Sequence, residues 1–197
     1  MKIEKLFPTL LGMFNFNKHF ENRNKYIDRC VSSMSVFDKG GDNWVAKDTY
    51  NTSGTYNFFK DECFKDLTNF IKQSAMQYCD GIGADRSRIN FDTEDAWFNF
   101  YKKYDFQDYH IHPSVLSVVY FLKVSESHES AKIFFKSPIN ARSQLTFNHY
   151  NQDTFRNIWF NPPEGTLLIF DSTLEHCVSR HNTDDPRITM SANFYLK

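Results

Sequence analysis

The sequence predicts a mainly β protein with flanking helices, an α+β fold whose second half forms a double-sheet jelly roll. Aromatic residues make up 17% of the chain and include 21 Phe, which suits strands and a crowded core. Helical periodicity is confined to the first half, and about eight short strands follow it. The length of 197 residues fits a single domain. We expect a helical support region at residues 1–93 and a β core at residues 94–197.

Two stretches of the first half carry apolar residues at helical spacing. They cover residues 20–37 and 58–80, and each places its apolar side chains on one helix face. Glycine tolerates the left-handed backbone that commonly ends a helix, so the segment Gly81–Gly83 is expected to stop the second helix. The polar run from Asn51 to Gly54 is typical of a loop.

The second half alternates short apolar strands with turns that contain proline or glycine. Pro138, residues 162–165 and residues 182–186 supply the turns, since proline fixes φ and glycine permits positive φ. The predicted strands are Ala96–Tyr101, Val115–Val124, Lys132–Phe135, Gln144–Asn148, Thr154–Trp159, Thr166–Phe170, Cys177–Arg180 and Arg187–Leu196.

Charge, hydropathy and cysteine spacing exclude several functional classes. The chain has 23 Lys plus Arg against 24 Asp plus Glu, a net charge of -1, so no nucleic-acid partner is expected. No segment approaches the ~20 apolar residues of a membrane span, and no membrane partner is expected. Four cysteines without CxxC spacing indicate neither a zinc knuckle nor a disulfide framework. We therefore expect a cytoplasmic protein.

A histidine pair is the densest chemical signal in the sequence. In an extended segment, Asp108, His110 and His112 would point the same way, and two imidazoles on one face can hold a divalent metal. His176 follows the apolar run 167–170, which is typical of a buried strand, and is the candidate third ligand. On spacing alone, a pair of surface histidines and a satisfied strand-end histidine remain equally open.

The four remaining histidines have no paired partner and are expected to be structural. They are His19, His128, His149 and His181.

An arginine opens the last predicted strand. Alternation places Arg187, Thr189 and Ser191 on one face, with Asn193 following. A buried arginine would need an anion at its planar fork, and a carboxylate is the natural bidentate partner. The alternative is an outward-facing arginine paired with Asp184 or Asp185.

The order of these motifs resembles a known enzyme family. The chain is similar to the 2-oxoglutarate/iron(II)-dependent oxygenases in three segments that follow one another in the same order. These segments are His110-x-His112-Pro, then Pro162-Pro-Glu-Gly-Thr-Leu-Leu-Ile-Phe-Asp-Ser-Thr-Leu-Glu-His176-Cys-Val178, and then Arg187 with Ser191. The resemblance is closest to a 2OG-Fe(II) oxygenase family of marine bacteria and cyanophages. In that family a strand like Ser-Gly-Val-Tyr-Tyr follows the histidines, and here it corresponds to Leu116–Leu122. The resemblance covers residues 95–197.

The resemblance implies a double-stranded β-helix (jelly-roll, cupin-like) core with N-terminal supporting helices, and it implies roles for individual residues. His110 and His176 would be catalytic iron ligands, Arg187 would bind the remote carboxylate of 2-oxoglutarate, and Ser191 would assist Arg187. The wider superfamily usually has a carboxylate at the position of His112. Three options follow: a three-histidine site using His112, which we favour, a carboxylate from Asp108, or a water.

A second departure from relatives is Phe121, where they often have tyrosine. If that tyrosine contacts 2-oxoglutarate in the relatives, either Ser117 on the same strand face replaces its hydrogen bond here or no residue does. The aromatic residues Trp97, Phe98 and Phe100 either line the cavity or pack in the core.

The resemblance implies hydroxylation of an unidentified small-molecule or protein substrate, with iron(II), 2-oxoglutarate and O2 as cofactors and with succinate and CO2 as products. Two other functions remain open. One is a three-histidine cupin-type dioxygenase without 2-oxoglutarate, which would give Arg187 no defined role. The other is a non-catalytic jelly-roll binding or structural protein, such as a virion component.

Overall fold

The computed structural model describes residues 1–2, 8–40, 49–139, 148–149, 151 and 154–197. Its helices are α1 (His19–Ser33) and α2 (Lys65–Ile82), with short 3-10 turns at Phe58–Lys60, Glu62–Phe64 and Arg86–Arg88. Its strands are β1 (Leu11–Asn15), β2 (Tyr50–Asn51), β3 (Ile89–Asn90), β4 (Ala96–Tyr101), β5 (Gln107–His110), β6 (Leu116–Lys123), β7 (Ile133–Lys136), β8 (Asn157–Phe160), β9 (Thr166–Asp171), β10 (His176–Val178) and β11 (Arg187–Leu196).

The strands form two antiparallel sheets. The larger sheet has the order β1-β9-β6-β11-β4-β2, with β3 also paired to β11, and the smaller sheet has the order β5-β10-β7-β8. In the smaller sheet β10 pairs with β5 and with β7, which lie far from it in the chain, as in a double-stranded β-helix. The predicted α+β fold with a jelly-roll core is confirmed.

Strand β11 lies between β6 and β4 and shows the side-chain alternation that organises the molecule. One set of its residues packs into the main hydrophobic core: Ile188, Met190, Ala192 and Phe194. The other set faces a cavity: Arg187, Thr189, Ser191 and Asn193. Because the period of a strand is two residues, the larger sheet separates an apolar core from a polar cavity. The predicted alternation of this strand is confirmed.

The two helices contribute to the apolar core on the other side of the larger sheet. Tyr26 of α1 and Leu67 and Ile71 of α2 are fully buried in that core. Helix α2 ends at Gly83 with φ of 73°, a left-handed conformation that glycine adopts without strain. Gly83, the last residue of the predicted stop, therefore ends the helix.

The predicted helix at residues 58–80 begins later than expected. The Asn57 side chain accepts a hydrogen bond from the Phe59 amide, and the Asp61 side chain accepts one from the Cys63 amide. These caps stabilise two separate 3-10 turns, since capping side chains satisfy amides at the start of a helical turn. The continuous helix consequently starts at Lys65.

The first half also contributes strands that the sequence pattern does not predict. β1 pairs with β9 along its full length, while β2 and β3 have two residues each. Elements this short carry too few residues to show a period. The predicted strand Gln144–Asn148 lies outside the described residues up to position 147. None of the helices described is long and apolar enough to cross a membrane.

Candidate metal centre

Three histidines converge between the two sheets. His110 ends β5 and is paired across the ladder with His176, the first residue of β10. His112 follows two residues after His110, and the potential ligand nitrogens of the three rings lie within 4.8 Å of one another. The ring centroids of His110 and His176 are 4.3 Å apart. The centroid of His112 lies 5.1 Å from that of His110 and 5.2 Å from that of His176. The structure therefore brings together the three predicted histidines.

Backbone carbonyls orient two of these rings. The Nδ1 atom of His110 lies 2.7 Å from the carbonyl of Asp108, and the Nδ1 atom of His176 lies 2.8 Å from the carbonyl of Leu174. A carbonyl oxygen only accepts, so each Nδ1 must carry the proton. The Nε2 lone pair of each ring is then left for a metal, the arrangement usual for metal-binding histidines.

Burial keeps the three imidazoles neutral. It lowers the pKa of His110, and together with repulsion from His110 it lowers the pKa of His112 to about 4. The pKa of His176 falls to about 3, through burial first and then through repulsion from His110. A metal binds the neutral form of imidazole, so the group is ready to bind a cation at neutral pH.

Asp108 does not share the face of the two histidines, and that prediction was wrong. His176 pairs with His110 whereas Val178 pairs with Gln107, so the register shifts by one residue within β5. A bulge of this kind interrupts the alternation of faces. Gln107 is consequently buried against the cavity while Asp108 is exposed. Among the described residues, the metal-binding group contains no carboxylate.

The other histidines lie outside this group. His19 is buried, with Nδ1 2.6 Å from the Tyr120 hydroxyl, and His181 is buried, with Nε2 2.7 Å from the carbonyl of Asp185. His128 and His149 are exposed.

The histidines stand at one cavity of about 400 Å³, a volume that includes the part of its mouth open to solvent. Its walls come from both sheets. Its polar and charged lining residues are Asn99, Tyr101, Gln107, His110, His112, Ser117, His176, Arg187, Thr189, Ser191 and Asn193. The three histidines thus share one cavity with Arg187.

Arg187 is 1% exposed and projects into this cavity. Its Cζ atom lies 4.8 Å from the ring centroid of Tyr101 and 5.3 Å from that of Phe121. The Nε and Nη1 atoms are buried and have no hydrogen-bond partner in the described part of the chain. Burial lowers the pKa of the guanidinium. A buried cation with two unsatisfied donors is a site for an anion.

The alternative of an outward-facing Arg187 is wrong. Asp184 is paired with Lys103, and Asp185 is paired with Lys123.

A chain of hydrogen bonds lines the cavity wall beside Arg187. The Tyr101 hydroxyl donates to Gln107 Oε1 at 2.8 Å, and Gln107 Nε2 donates to Asn99 Oδ1 at 3.3 Å. Asn99 Nδ2 lies 3.4 Å from Thr189 Oγ1 and 3.5 Å from Ser191 Oγ. Asn99, Tyr101 and Gln107 were not among the site residues predicted from the sequence. The alternation of Trp97, Asn99 and Tyr101 along one strand could have indicated the first two.

Ser191 and Ser117 both line the cavity but lie away from Arg187. Ser191 is four residues from Arg187 along the same strand, about 13 Å at the rise of a β-strand. Ser117 faces the same way as Phe121, as predicted, but it is also four residues away, again about 13 Å. Its hydroxyl donates to Asn193 Oδ1 at 2.8 Å. Thr189 and Tyr101 are therefore the hydroxyl-bearing residues placed closest to Arg187 along their strands.

Of the three aromatic residues that the sequence predicted either to line the cavity or to pack in the core, one lines the cavity. Trp97 is 4% exposed, and its ring centroid lies 5.7 Å from that of His112. Phe98 and Phe100 pack with the apolar core on the opposite face.

Comparison with protein families identifies the chain. The family model described as "Putative 2OG-Fe(II) oxygenase" matches residues 95–193, which is just over half of the sequence. The chain belongs to this family. It is an oxidoreductase, and its cofactors are those of the 2OG-Fe(II) oxygenases, iron(II) and 2-oxoglutarate. The three neutral histidines and the unsatisfied Arg187 suit a cation and a dicarboxylate, respectively.

Solved structures of 2-oxoglutarate-dependent enzymes share the fold. A prolyl-4-hydroxylase from Pseudomonas putida aligns with a TM-score of 0.67 at 12% identity, over 96% of this chain and 94% of that one. A prolyl hydroxylase from Trichoplax adhaerens, in complex with a peptide fragment of the hypoxia inducible factor oxygen degradation domain, aligns with a TM-score of 0.65 at 13% identity, over 94% and 82%.

HygX from Streptomyces hygroscopicus, with nickel, 2-oxoglutarate and hygromycin B bound, aligns with a TM-score of 0.59 at 10% identity, over 95% of this chain and 83% of that one. No curated protein sequence matches the chain. The structural likenesses support the fold, while the family membership rests on the sequence match.

Proposed function

We propose that this 2OG-Fe(II) oxygenase hydroxylates a small-molecule or protein substrate and converts 2-oxoglutarate to succinate and CO2. One observation carries the proposal: Arg187 is buried with two unpartnered donors in the cavity that also contains the three histidines. A metal group alone would suit many reactions. A metal group that shares a cavity with a buried cation suits a bidentate anionic cosubstrate.

In this proposal His110, His112 and His176 hold the iron, which supplies O2 activation when bound. Three protein ligands would leave the ion open to further ligands. His112 is neutral where a carboxylate is usual in the superfamily, so the site carries one more positive charge. That charge favours the dianionic cosubstrate. Asp108 is not proposed as a ligand because its side chain is exposed.

The remote carboxylate of 2-oxoglutarate is assigned to Arg187. Tyr101 pairs with Arg187 across the β11–β4 ladder, and Thr189 lies two residues along the same face. These two hydroxyls are placed to complete the carboxylate site, in place of Ser191 and Ser117. Phe121 closes the pocket with an apolar ring and donates no hydrogen bond.

The cavity wall is suited to orienting bound molecules. The Asn99 and Gln107 amides are buried and linked to each other, so their donors and acceptors are held in fixed directions. A network whose members satisfy one another is rigid. The Trp97 ring adds an apolar surface next to His112.

The two other candidate functions account for less of this geometry. A three-histidine dioxygenase without a cosubstrate gives no role to Arg187, whose burial is costly without an anion. A non-catalytic jelly roll gives no role to three neutral imidazoles, two of which are held in the tautomer that leaves Nε2 unprotonated.

The experiment is an anaerobic titration of the protein with iron(II), followed by addition of 2-oxoglutarate, ascorbate and O2 and measurement of succinate. We expect succinate to form slowly without a substrate, and a screen of small molecules and peptides to find one that gains an oxygen atom. His112→Ala should lower iron affinity at least about tenfold, since loss of an outer partner alone typically costs that much. Asp108→Ala is the matched control four residues away and should bind iron like the wild type.

Either of two results would contradict the proposal. If no succinate forms under any condition with iron bound, the chain does not use 2-oxoglutarate. If Asp108→Ala rather than His112→Ala loses iron, the three-histidine centre is wrong.

A further inference from the structure

His112 is the one member of the histidine group that lies outside a strand. β5 ends at His110 and β6 begins at Leu116, so no ladder pairing fixes the segment between them. The backbone of His112 is held instead by a contact outside the sheets. Its amide donates to the carbonyl oxygen of Ser172 at 2.9 Å.

Ser172 holds the same segment at further points. It is fully buried in the turn between β9 and β10. Its hydroxyl lies 2.6 Å from the Ser114 hydroxyl and 2.9 Å from the Ser117 hydroxyl. One residue thus contacts the segment just before β6 and the start of β6 itself.

The direction of these hydrogen bonds follows from the one at the end of the series, between Ser117 and Asn193. The Ser117 hydroxyl donates to Asn193 Oδ1 at 2.8 Å, and Asn193 Nδ2 donates to the Asp95 carboxylate at 2.8 Å. A hydroxyl has one proton, so Ser117 must accept from Ser172, and Ser172 must accept from Ser114. Each of the three hydroxyls therefore donates once, and those of Ser172 and Ser117 also accept once. The chain fixes the segment to β11, a central strand of the larger sheet.

The same turn also orients a second ligand. Two residues after Ser172, the carbonyl of Leu174 accepts the Nδ1 proton of His176, and the amide of Leu174 is held by the carbonyl of Asp171 at 2.9 Å. The turn between β9 and β10 thus contacts His112 through its backbone and His176 through its ring.

We propose that Ser172 is a positioning residue of the metal centre, which holds His112 at the distance from His110 and His176 that a metal requires. The inference rests on the proposed three-histidine centre. A small apolar residue would fill this buried position without the cost of burying a hydroxyl, whereas the serine satisfies its hydroxyl by linking Ser114, in the segment of His112, to Ser117 of β6.

The test is titration of the metal-free protein with cobalt(II) under nitrogen, followed by its visible ligand-field spectrum. Ser172→Ala should lower cobalt affinity about tenfold, the usual cost of removing a partner that orients a ligand. Its spectrum should move toward that of His112→Ala. In the double variant His112→Ala/Ser172→Ala, affinity should equal that of His112→Ala alone, because Ser172 acts through His112.

Ser33→Ala is the matched control. Ser33 is also fully buried, and its hydroxyl donates to the carbonyl of Arg29 at 2.8 Å in α1. Its removal should lower the melting temperature by a similar amount but leave cobalt affinity and the spectrum unchanged. A purely structural role of Ser172 would produce the same pattern as this control.

Ser114→Ala provides a second route if Ser172→Ala does not fold. Ser114 is partly exposed and lies at the start of the hydroxyl chain, so its loss should weaken cobalt binding in the same direction but less. Suppose that the folded serine variant, Ser172→Ala or Ser114→Ala, binds cobalt like the wild type while His112→Ala binds it weakly. That result overturns the role of Ser172 and leaves the three-histidine metal centre intact. Wild-type affinity in His112→Ala itself overturns the three-histidine centre.

Discussion

Replacement of Arg187 by methionine should abolish cosubstrate binding and stabilise the cofactor-free protein. Arg187 is 1% exposed, and its Nε and Nη1 atoms have no hydrogen-bond partner among the described residues. Methionine keeps an unbranched apolar stem but removes the charge and the donors. The two effects have opposite signs because the same group is costly without an anion and favourable with one.

The magnitudes follow from the two unsatisfied donors. A hydrogen bond to a charged group contributes about 1.5–3 kcal/mol, so two of them give about 3–6 kcal/mol. This corresponds to a loss of roughly 10²- to 10⁴-fold in affinity for 2-oxoglutarate. Replacing buried charges with apolar residues stabilises other proteins by about 1–4 kcal/mol, and a gain of that order is expected here without cofactor.

The assay is calorimetric titration of 2-oxoglutarate into manganese(II)-loaded protein, paired with urea denaturation of the metal-free protein. Arg29→Met is the control, since Arg29 is partly exposed on α1 and pairs with Asp61 away from the cavity. It should bind 2-oxoglutarate normally and lose stability. Wild-type affinity for 2-oxoglutarate in a folded Arg187→Met variant would refute the assignment of the carboxylate site.

Two further predictions concern the cosubstrate pocket and pH. Phe121→Tyr adds a hydroxyl to a ring whose centroid lies 5.3 Å from the guanidinium carbon of Arg187. One added hydrogen bond of about 1 kcal/mol should tighten 2-oxoglutarate binding about fivefold, as measured by calorimetry. Ser117→Ala should leave the affinity for 2-oxoglutarate unchanged. Burial lowers the pKa of His112 to about 4 and that of His176 to about 3, so the unfolded chain binds protons first as the pH falls below about 6.5. As the pH falls from about 6.5 to 4, the free energy of unfolding of the metal-free protein should therefore decrease by about 1.4 kcal/mol per pH unit for each of these histidines. A free energy of unfolding from urea denaturation that does not change over this pH range would contradict the prediction.

Much of the fold was predictable because strands and helices have different periods. The alternation along residues 187–193 separated cavity-facing from core-facing side chains before any coordinates were known, and Gly83 marked the end of α2. The short strands β2 and β3 were not predictable, because two residues cannot show a period. The edge strand β1 was missed as well, and its residues are only partly covered.

The candidate site, like the fold, was predicted only in part from the sequence. The prediction that Asp108, His110 and His112 share a face assumed a regular strand, and one bulge removed Asp108 from the site while it turned Gln107 inward. A bulge depends on the partner strand, which a local pattern does not contain. Ser191 and Ser117 share a face with Arg187 and Phe121 but lie four residues from them along the strands, since sharing a face does not fix a distance along a strand.

The sequence by itself determined the histidine pair, the distant His176, the strand face that Arg187 shares with Thr189 and Ser191, and the jelly-roll core. Only the tertiary structure decided which of them meet. His110 and His176 become neighbours through a ladder between strands far apart in the chain, and His112 joins them through its contact with Ser172. Periodicity is a local property of the backbone, whereas coordination of a metal requires distances between segments that only folding sets.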